Sequence, residues 1–476
     1  MILDPNALPL LVTPPPGPLS RAWLARLRAV ESPNVTAIGA DFPVVWRGAR
    51  GAVVEDVDGN RYLDAGAAFG VAFIGHGHAA VRAAATLQTE TLLHGMGDVH
   101  PPTARIELLE ALAAVAPGDL GFGVLCTGGA EAVEVALKTA LLATGKRGIV
   151  AFEGGYHGLS LGALGGTARA DFRTPFAPWL PGPTTFVPYP AAAQGADVGG
   201  ADAEAAALGV TLAAVERALC DPVTPAGVVL VEPLQGRGGN VVPAAGLLVG
   251  LRALCDQYGA LLALDEIFTG CGRTGTFFAC SHDDGFGAVL PDLLCVGKAL
   301  GGGFPVSACL GRPQVMAAWG ESTGEALHTS TFLGHPVAAA AATATLRVIA
   351  DEALVVRASV DGAALQRALR DALAGSPAVV AVRGRGLMIG VALRDVGAGS
   401  GSGDTQHAGA LAWQVVLGCL RRGVLVLPCG GDGSVIQLTP PAVMTAEQRA
   451  FLVGALTDAI AEAVVRRASR AGGSLL

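Results

Sequence analysis

Between residues 121 and 310 the chain alternates short unbroken apolar runs with glycine-rich turns and longer helical stretches. The runs fall at 121–126, 148–152, 227–231, 260–264, 293–296 and 306–310. They lack the in-out alternation of a strand with one wet face, so each is expected to be buried on both faces of a largely parallel sheet. Helical stretches between them, such as 130–143, supply the crossovers that parallel strands require. The flanks follow another pattern. Residues 1–45 are rich in proline, and 51–60 alternates up to an Asp-Gly-Asn turn, which predicts a hairpin. Beyond about residue 345 come long amphipathic helices and short strands such as 387–392. The expected fold is α/β: a large domain at 65–335 with a mostly parallel central sheet, and a smaller α+β domain from both chain ends, 1–64 and 336–476. Two stretches, 191–206 and 397–404, have the composition of loops.

Composition narrows the partners. Hydrophobic residues make up 51% of the chain and mean hydropathy is +0.50, yet most of this is alanine. Every apolar run is cut by His, Arg, Asp or Pro before the ~18 residues that a membrane helix needs. A net charge of −8 without a basic cluster offers nucleic acid no footprint, which leaves small molecules as the expected partners. The nine cysteines, odd in number and without CxxC spacing, point to thiols kept reduced. The histidines do not group with acids or cysteines at ligand spacing, so no metal site is expected. Met-Ile-Leu-Asp-Pro at the amino terminus carries no basic leader, and Pro14 to Pro16 interrupt the one apolar candidate for a signal segment. A cytoplasmic protein is expected.

Lysine changes the picture most. The chain has three, Lys138, Lys146 and Lys298, and the last sits in Pro291-Asp-Leu-Leu-Cys-Val-Gly-Lys298-Ala-Leu-Gly-Gly-Gly-Phe-Pro305, an apolar and glycine-rich run. A buried ammonium shifts its pKa or finds a partner, so Lys298 is expected to be paired, exposed or chemically employed. Other stretches place polar groups at the ends of expected strands. Leu125-Cys-Thr-Gly-Gly-Ala-Glu-Ala132 turns from strand into helix, and free N–H groups there suit a phosphate. The same turn would serve equally as a plain connection with Glu131 on the helix dipole. Asp265 and Glu266 follow the run at 260–264, where α/β proteins bind ligands or cap the next helix. Tyr156 and His157 follow the run at 148–152 in a glycine-rich loop, a pairing that is often structural. One cofactor answers all of these together. Pyridoxal 5′-phosphate has a phosphate for backbone N–H groups, a pyridine nitrogen that a carboxylate keeps protonated, a flat ring that takes an aromatic neighbour, and an aldehyde that requires a lysine.

These stretches resemble the class III pyridoxal-phosphate aminotransferases of fold type I. The resemblance runs from Asp56-Val-Asp-Gly-Asn-Arg-Tyr-Leu-Asp64 and Gly75-His-Gly-His78 through Leu264-Asp-Glu-Ile-Phe-Thr-Gly-Cys-Gly-Arg-Thr-Gly275 and Lys298. It continues through His328-Thr-Ser-Thr-Phe-Leu-Gly-His-Pro336 to Leu438-Thr-Pro-Pro441. It implies that Lys298 forms the Schiff base with the cofactor aldehyde and moves the substrate proton, and that Asp265 pairs with the ring nitrogen. Tyr156 and Ile267 are implied to cover the two ring faces, and Gly129 and Ala130 to hold the phosphate. Thr331 is implied to reach the phosphate of the neighbouring subunit, hence a homodimer with shared active sites. His157 and Glu232 are implied as supporting positions. The implied activity is transfer of an amino group from an amino acid or amine to an oxo acid.

Three positions depart from the family pattern. Gln437 stands where many members carry a carboxylate-binding arginine before the Pro-Pro block, and Arg237 where they carry a glutamate after Glu-Pro-x-Gln-Gly. An amide cannot form the two-pronged ion pair of a guanidinium, so Arg237 is expected to bind the substrate carboxylate from the opposite side, with Gln437 as a second substrate residue. Phe268 stands where the family often has a glutamine on the cofactor hydroxyl. The same fold also hosts racemases, epimerases and aminomutases, and the altered gate leaves that outcome as the alternative.

Overall fold

The computed structural model describes residues 3–192, 200–283, 288–396 and 405–472. The chain forms two compact units, Ala79–Val360 with Gly384–Gly386, and Met1–His78 with Asp361–Arg383 and Leu387–Leu476.

The larger unit is built on seven strands: β1 (Phe122–Cys126), β2 (Gly148–Phe152), β3 (Thr184–Val187), β4 (Ala226–Val231), β5 (Leu261–Asp265), β6 (Leu293–Val296) and β7 (Ser307–Gly311). Their order across the sheet is β1-β7-β6-β5-β4-β2-β3. From β6 to β3 all neighbours run parallel. β7 alone is reversed, antiparallel to both β1 and β6. Strands β2, β4, β6 and β7 are buried along their whole length, which is why they read as continuous apolar runs. β3 is the edge strand. It buries Val187 fully and exposes Thr185, so no apolar run announces it.

Helix α1 (Gly129–Thr144) shows how the sheet fixes a helix start. It buries Ala132, Val133, Val135, Ala136 and Ala140 in one core with Val228, Leu230, Ala263, Leu293 and Cys295. Small side chains bring its backbone close to the strands. At the entry, the Glu131 carboxylate accepts the Thr127 N–H at 2.8 Å and its hydroxyl at 2.9 Å, which ties the first turn of the helix back to the end of β1. At the exit Gly145, with φ 67°, ends it in the left-handed conformation that glycine adopts without strain. A second helix, α2 (Gly200–Leu219), takes in residues 200–206, which were expected as loop. Alanine propensity and an acidic first turn at Asp202 outweigh the glycines there. Residues 193–199 of that expected loop, and the one at 397–404, lie outside the described residues.

In the other unit Trp46–Arg50, Val53–Asp56 and Arg61–Asp64 pair in antiparallel order, and Val424–Leu425 adds parallel to the third. The two chain ends thus share one sheet. Asp56 gathers the hairpin turn. Its buried carboxylate accepts the N–H of Asp58 at 2.9 Å and of Asn60 at 2.8 Å, the Asn60 amide at 2.9 Å and the Tyr62 hydroxyl at 2.8 Å. In a second sheet Val435–Leu438 lies between Met388–Leu393 and Leu427–Cys429, antiparallel to both. Among the described residues no helix is long and apolar enough to cross a membrane.

Candidate active site

The parallel strands of the larger unit all deliver their carboxyl ends to one edge of the sheet, and the turns that leave them enclose a cavity of about 320 Å³. Each wall comes from a different strand. The start of α1 after β1 contributes Gly129 and Ala130, the loop after β2 contributes Tyr156 and His157, and the turn after β4 contributes Glu232 and Arg237. Asp265 is the last residue of β5, with Ile267 and Phe268 just beyond, and Lys298 follows β6. Two of the residues singled out in the sequence are not among those that line it. Thr331 is exposed in a turn outside the cavity, and Gln437 belongs to the strand Val435–Leu438 of the other unit.

A braced carboxylate forms the floor. Asp265 Oδ2 lies 2.7 Å from His157 Nδ1, both side chains being buried, while Oδ1 accepts the Ile267 N–H at 3.0 Å. His157 is itself fixed by its N–H donating to Thr167 Oγ1 at 2.9 Å. Burial lowers the affinity of this imidazole for a proton, but the bond and charge of Asp265, with the charge of Glu232, carry it above the ordinary histidine value. Asp265 thus favours the protonated form of this buried ring. The second ring nitrogen, Nε2, is buried without a hydrogen-bond partner among the described residues. Glu232 ties two loops together, accepting the N–H of Tyr156 at 3.0 Å and of Gly236 at 2.9 Å. Burial raises its pKa, with His157 pulling the other way.

The helix start is shaped by contact. A Cβ at position 129 would come within 2.9 Å of Ile267 Cδ1, and one at 158, where φ is 123°, within 2.6 Å of Ala130 Cβ. Only glycine permits both approaches. They press two loops against the first turn of α1, whose leading N–H groups have no earlier helical carbonyl to meet. Across the cavity the Arg237 guanidinium carbon stands 4.9 Å from the centre of the Tyr156 ring, and Phe172 meets that ring edge-on at 6.2 Å.

Lys298 is half-buried, with a left-handed backbone at φ 44°. Its Nζ lies 3.6 Å from the centre of the Phe268 ring. Burial brings the amine down to about 8, against the pull of Asp265 and Glu232 and with the push of Arg237 and Arg273. The other two lysines have partners at hydrogen-bond distance. Lys146 donates to the carbonyls of Tyr258 and Gly259 at 2.6 and 3.1 Å, and Lys138 lies 3.1 Å from His328 Nδ1. Sequence reasoning missed Gly158 and Leu159, which also line the cavity. Their place directly after Tyr156 and His157 was the available signal.

Residues 36–460 match the class-III aminotransferase family. The acetylornithine aminotransferase of Methanopyrus kandleri is 38% identical over 419 residues, covering 88% of this chain and 95% of that protein. The enzyme of the same name from Mycolicibacterium smegmatis is 38% identical over 426 residues, covering 88% and 95%. Among solved structures, the ornithine aminotransferase of Toxoplasma gondii, described with pyridoxal phosphate at partial occupancy in its active site, superposes with a TM-score of 0.78 at 30% identity. It covers 94% of this chain and 95% of that one. The (S)-enantioselective omega-transaminase of Thermomicrobium roseum gives a TM-score of 0.82 at 27% identity, covering 94% and 99%. With a fold type I architecture and this span of agreement, the chain belongs to the class-III aminotransferase family, the pyridoxal-phosphate-dependent transaminases.

Proposed function

We propose that the cavity transfers an amino group from a carboxylate-bearing amino donor to an oxo acid, with Lys298 as proton carrier, Asp265 as partner of the cofactor ring nitrogen, and Arg237 as receiver of the substrate carboxylate. The observation that carries this reading is that an amine with no hydrogen-bond acceptor among the described residues and a carboxylate braced by a histidine line the same cavity as a helix start. Pyridoxal phosphate fits the residues present. The cradle at Gly129 is one that a Cβ would fill, and the buried carboxylate of Asp265, braced by His157, lines the cavity. When bound, the cofactor supplies an aldehyde that bonds to amines and a protonated ring that holds the electron pair left by proton removal.

Each residue then has a physical task. The Gly129 and Ala130 N–H groups, at the positive end of α1, hold the phosphate. Asp265, hydrogen-bonded to His157, would face the ring nitrogen of the bound cofactor and favour its protonated form. Tyr156 and Ile267, which both line the cavity, would flank the ring of the bound cofactor. The Lys298 amine, near 8, is partly neutral in the cell, so it takes a proton from the substrate carbon and gives it back at another atom. Arg237 offers a fixed fork to a carboxylate. Gln437 offers a neutral amide, and we assign it a secondary part in the substrate site. Ornithine and acetylornithine, named in the relatives, belong to the donor class proposed.

Thr331 is proposed to reach the phosphate of a second copy, which makes the working unit a homodimer with shared sites. Its neighbour Phe332 is exposed, as are Leu93 and Met96, and an apolar surface of this kind favours a covering partner. A cytoplasmic setting is proposed on the nine unbridged cysteines. A panel of α-amino acids, ω-amino acids and plain amines, each mixed with an oxo acid and the loaded enzyme, tests the activity. Paired appearance of a new oxo compound and a new amino acid is expected. Inversion of the donor's chirality with no acceptor present would replace transfer by racemisation.

A further inference from the structure

Phe268 has no task in the reading above. Its ring is 8% exposed and sits in a turn fixed at both ends. The Gly270 N–H donates to the Glu266 carbonyl at 2.9 Å. The buried Glu266 carboxylate accepts the N–H of Ala279 at 2.7 Å and of Cys280 at 2.8 Å, and the Thr269 hydroxyl at 2.9 Å. Lys298 is constrained from its own side by the left-handed backbone at φ 44°. The two constraints set Nζ 3.6 Å from the ring centre, within the reach at which a cation is attracted to an aromatic face. Among the described residues no group hydrogen-bonds to this Nζ. Its charged surroundings are Asp265 and Glu232 on one side of the balance, Arg237 and Arg273 on the other.

A ring face differs from an oxygen as a neighbour for an amine. It stabilises the ammonium but accepts no particular proton, so the N–H bonds and the lone pair stay free to turn. We propose that Phe268 is a positioning residue for Lys298: its ring is the seat of the ammonium whenever the lysine is free of the cofactor, and it holds the charge without competing for the proton. The proposal rests on Lys298 as proton carrier, but its test reads the amine and not the reaction, so the two can fail separately. When the amine takes a proton from the substrate carbon it becomes an ammonium, and the same proton leaves for the acceptor atom. The ring favours the charged member of that exchange and so offsets part of what burial does to the amine.

Having three lysines in the chain makes the measurement clean. The full chain, stripped of cofactor so that the amine is free, is acetylated competitively across pH. Mass spectrometry then gives the midpoint of Lys298 with Lys138 and Lys146 as internal references. Phe268→Leu, which keeps apolar bulk and removes the ring, is expected to move the Lys298 midpoint down by about half to one pH unit. Phe268→Tyr is expected to return it, with both reference lysines unmoved. A midpoint that stays in place in the leucine variant, or that falls equally in the tyrosine variant, overturns the proposal. Should the leucine variant fail to fold, Phe268→Trp carries the test: its stronger face moves the midpoint up, and an unmoved or lowered value overturns the proposal.

Discussion

Lys146 and Lys298 are two cations on one unit of the same chain, and their surroundings are opposites. Lys146 lies just past the end of α1 and spends its protons on two backbone carbonyls at the end of the helix Leu247–Tyr258, where the dipole is negative. Lys298 faces a ring and has no oxygen partner among the described residues. A cation kept for stability is given acceptors until its proton has no reason to leave. The cation proposed for chemistry has a ring face in their place, and its left-handed backbone carries it there. The contrast teaches that an unsatisfied polar group in a well-packed cavity is a stronger mark of function than charge alone.

The sharpest way to break this comparison is to remove each amine in turn. Lys298→Ala is expected to lower amino transfer by about 10²–10⁴-fold or more, the range for a lost proton carrier, and to abolish the visible absorbance of the bound cofactor. Lys146→Met is expected to leave the initial rate within about twofold and to lower unfolding free energy by about 1–2 kcal/mol in denaturant melts. Similar rate losses in both variants would erase the distinction. Next in size is the pH response of the cofactor-free chain. The folded Lys298 amine lies near 8 against an ordinary 10.5. Below 8 both folded and unfolded chains hold the proton, and folding bears the full cost of burying it. Between 8 and 10.5 the unfolded chain holds a proton that the folded chain has shed, so stability at this group rises with pH. The stability advantage of Lys298→Met over the native chain should therefore be greatest below pH 8 and shrink across that window, by up to about 3 kcal/mol. A flat difference would mean that the amine is not depressed. The smallest effect sharpens the contrast with a third cation. Arg237→Ala is expected to raise KM for the oxo acid about tenfold, roughly 1.4 kcal/mol of binding, with kcat changed less. An unchanged KM would return Arg237 to a packing role over Tyr156.

Much of the central sheet is legible in the sequence because burial on both faces strips polar residues from β2, β4, β6 and β7. The edge strand β3 is not, since Thr184–Val187 needs no such run. The reversal of β7 has no mark in its composition. It could have been read from its connection: only residues 297–306 separate β6 from β7, shorter than the crossover that a parallel neighbour requires. In the site, Asp265, Tyr156 and Lys298 were legible because each follows a recognisable strand end. The seat of the Lys298 amine was not, because it depends on a left-handed backbone at a residue with no sequence preference for one. Thr331 and Gln437 have no local mark of their own. One lies in an exposed turn and the other on a strand of the other unit, and only resemblance singles them out.

The close approach of Gly129 to Ile267 couples the two positions. Because any side chain at 129 would collide with the isoleucine, the two positions are not free to drift one at a time. A variant with bulk at 129 is expected to recover its packing only when residue 267 is trimmed in the same molecule.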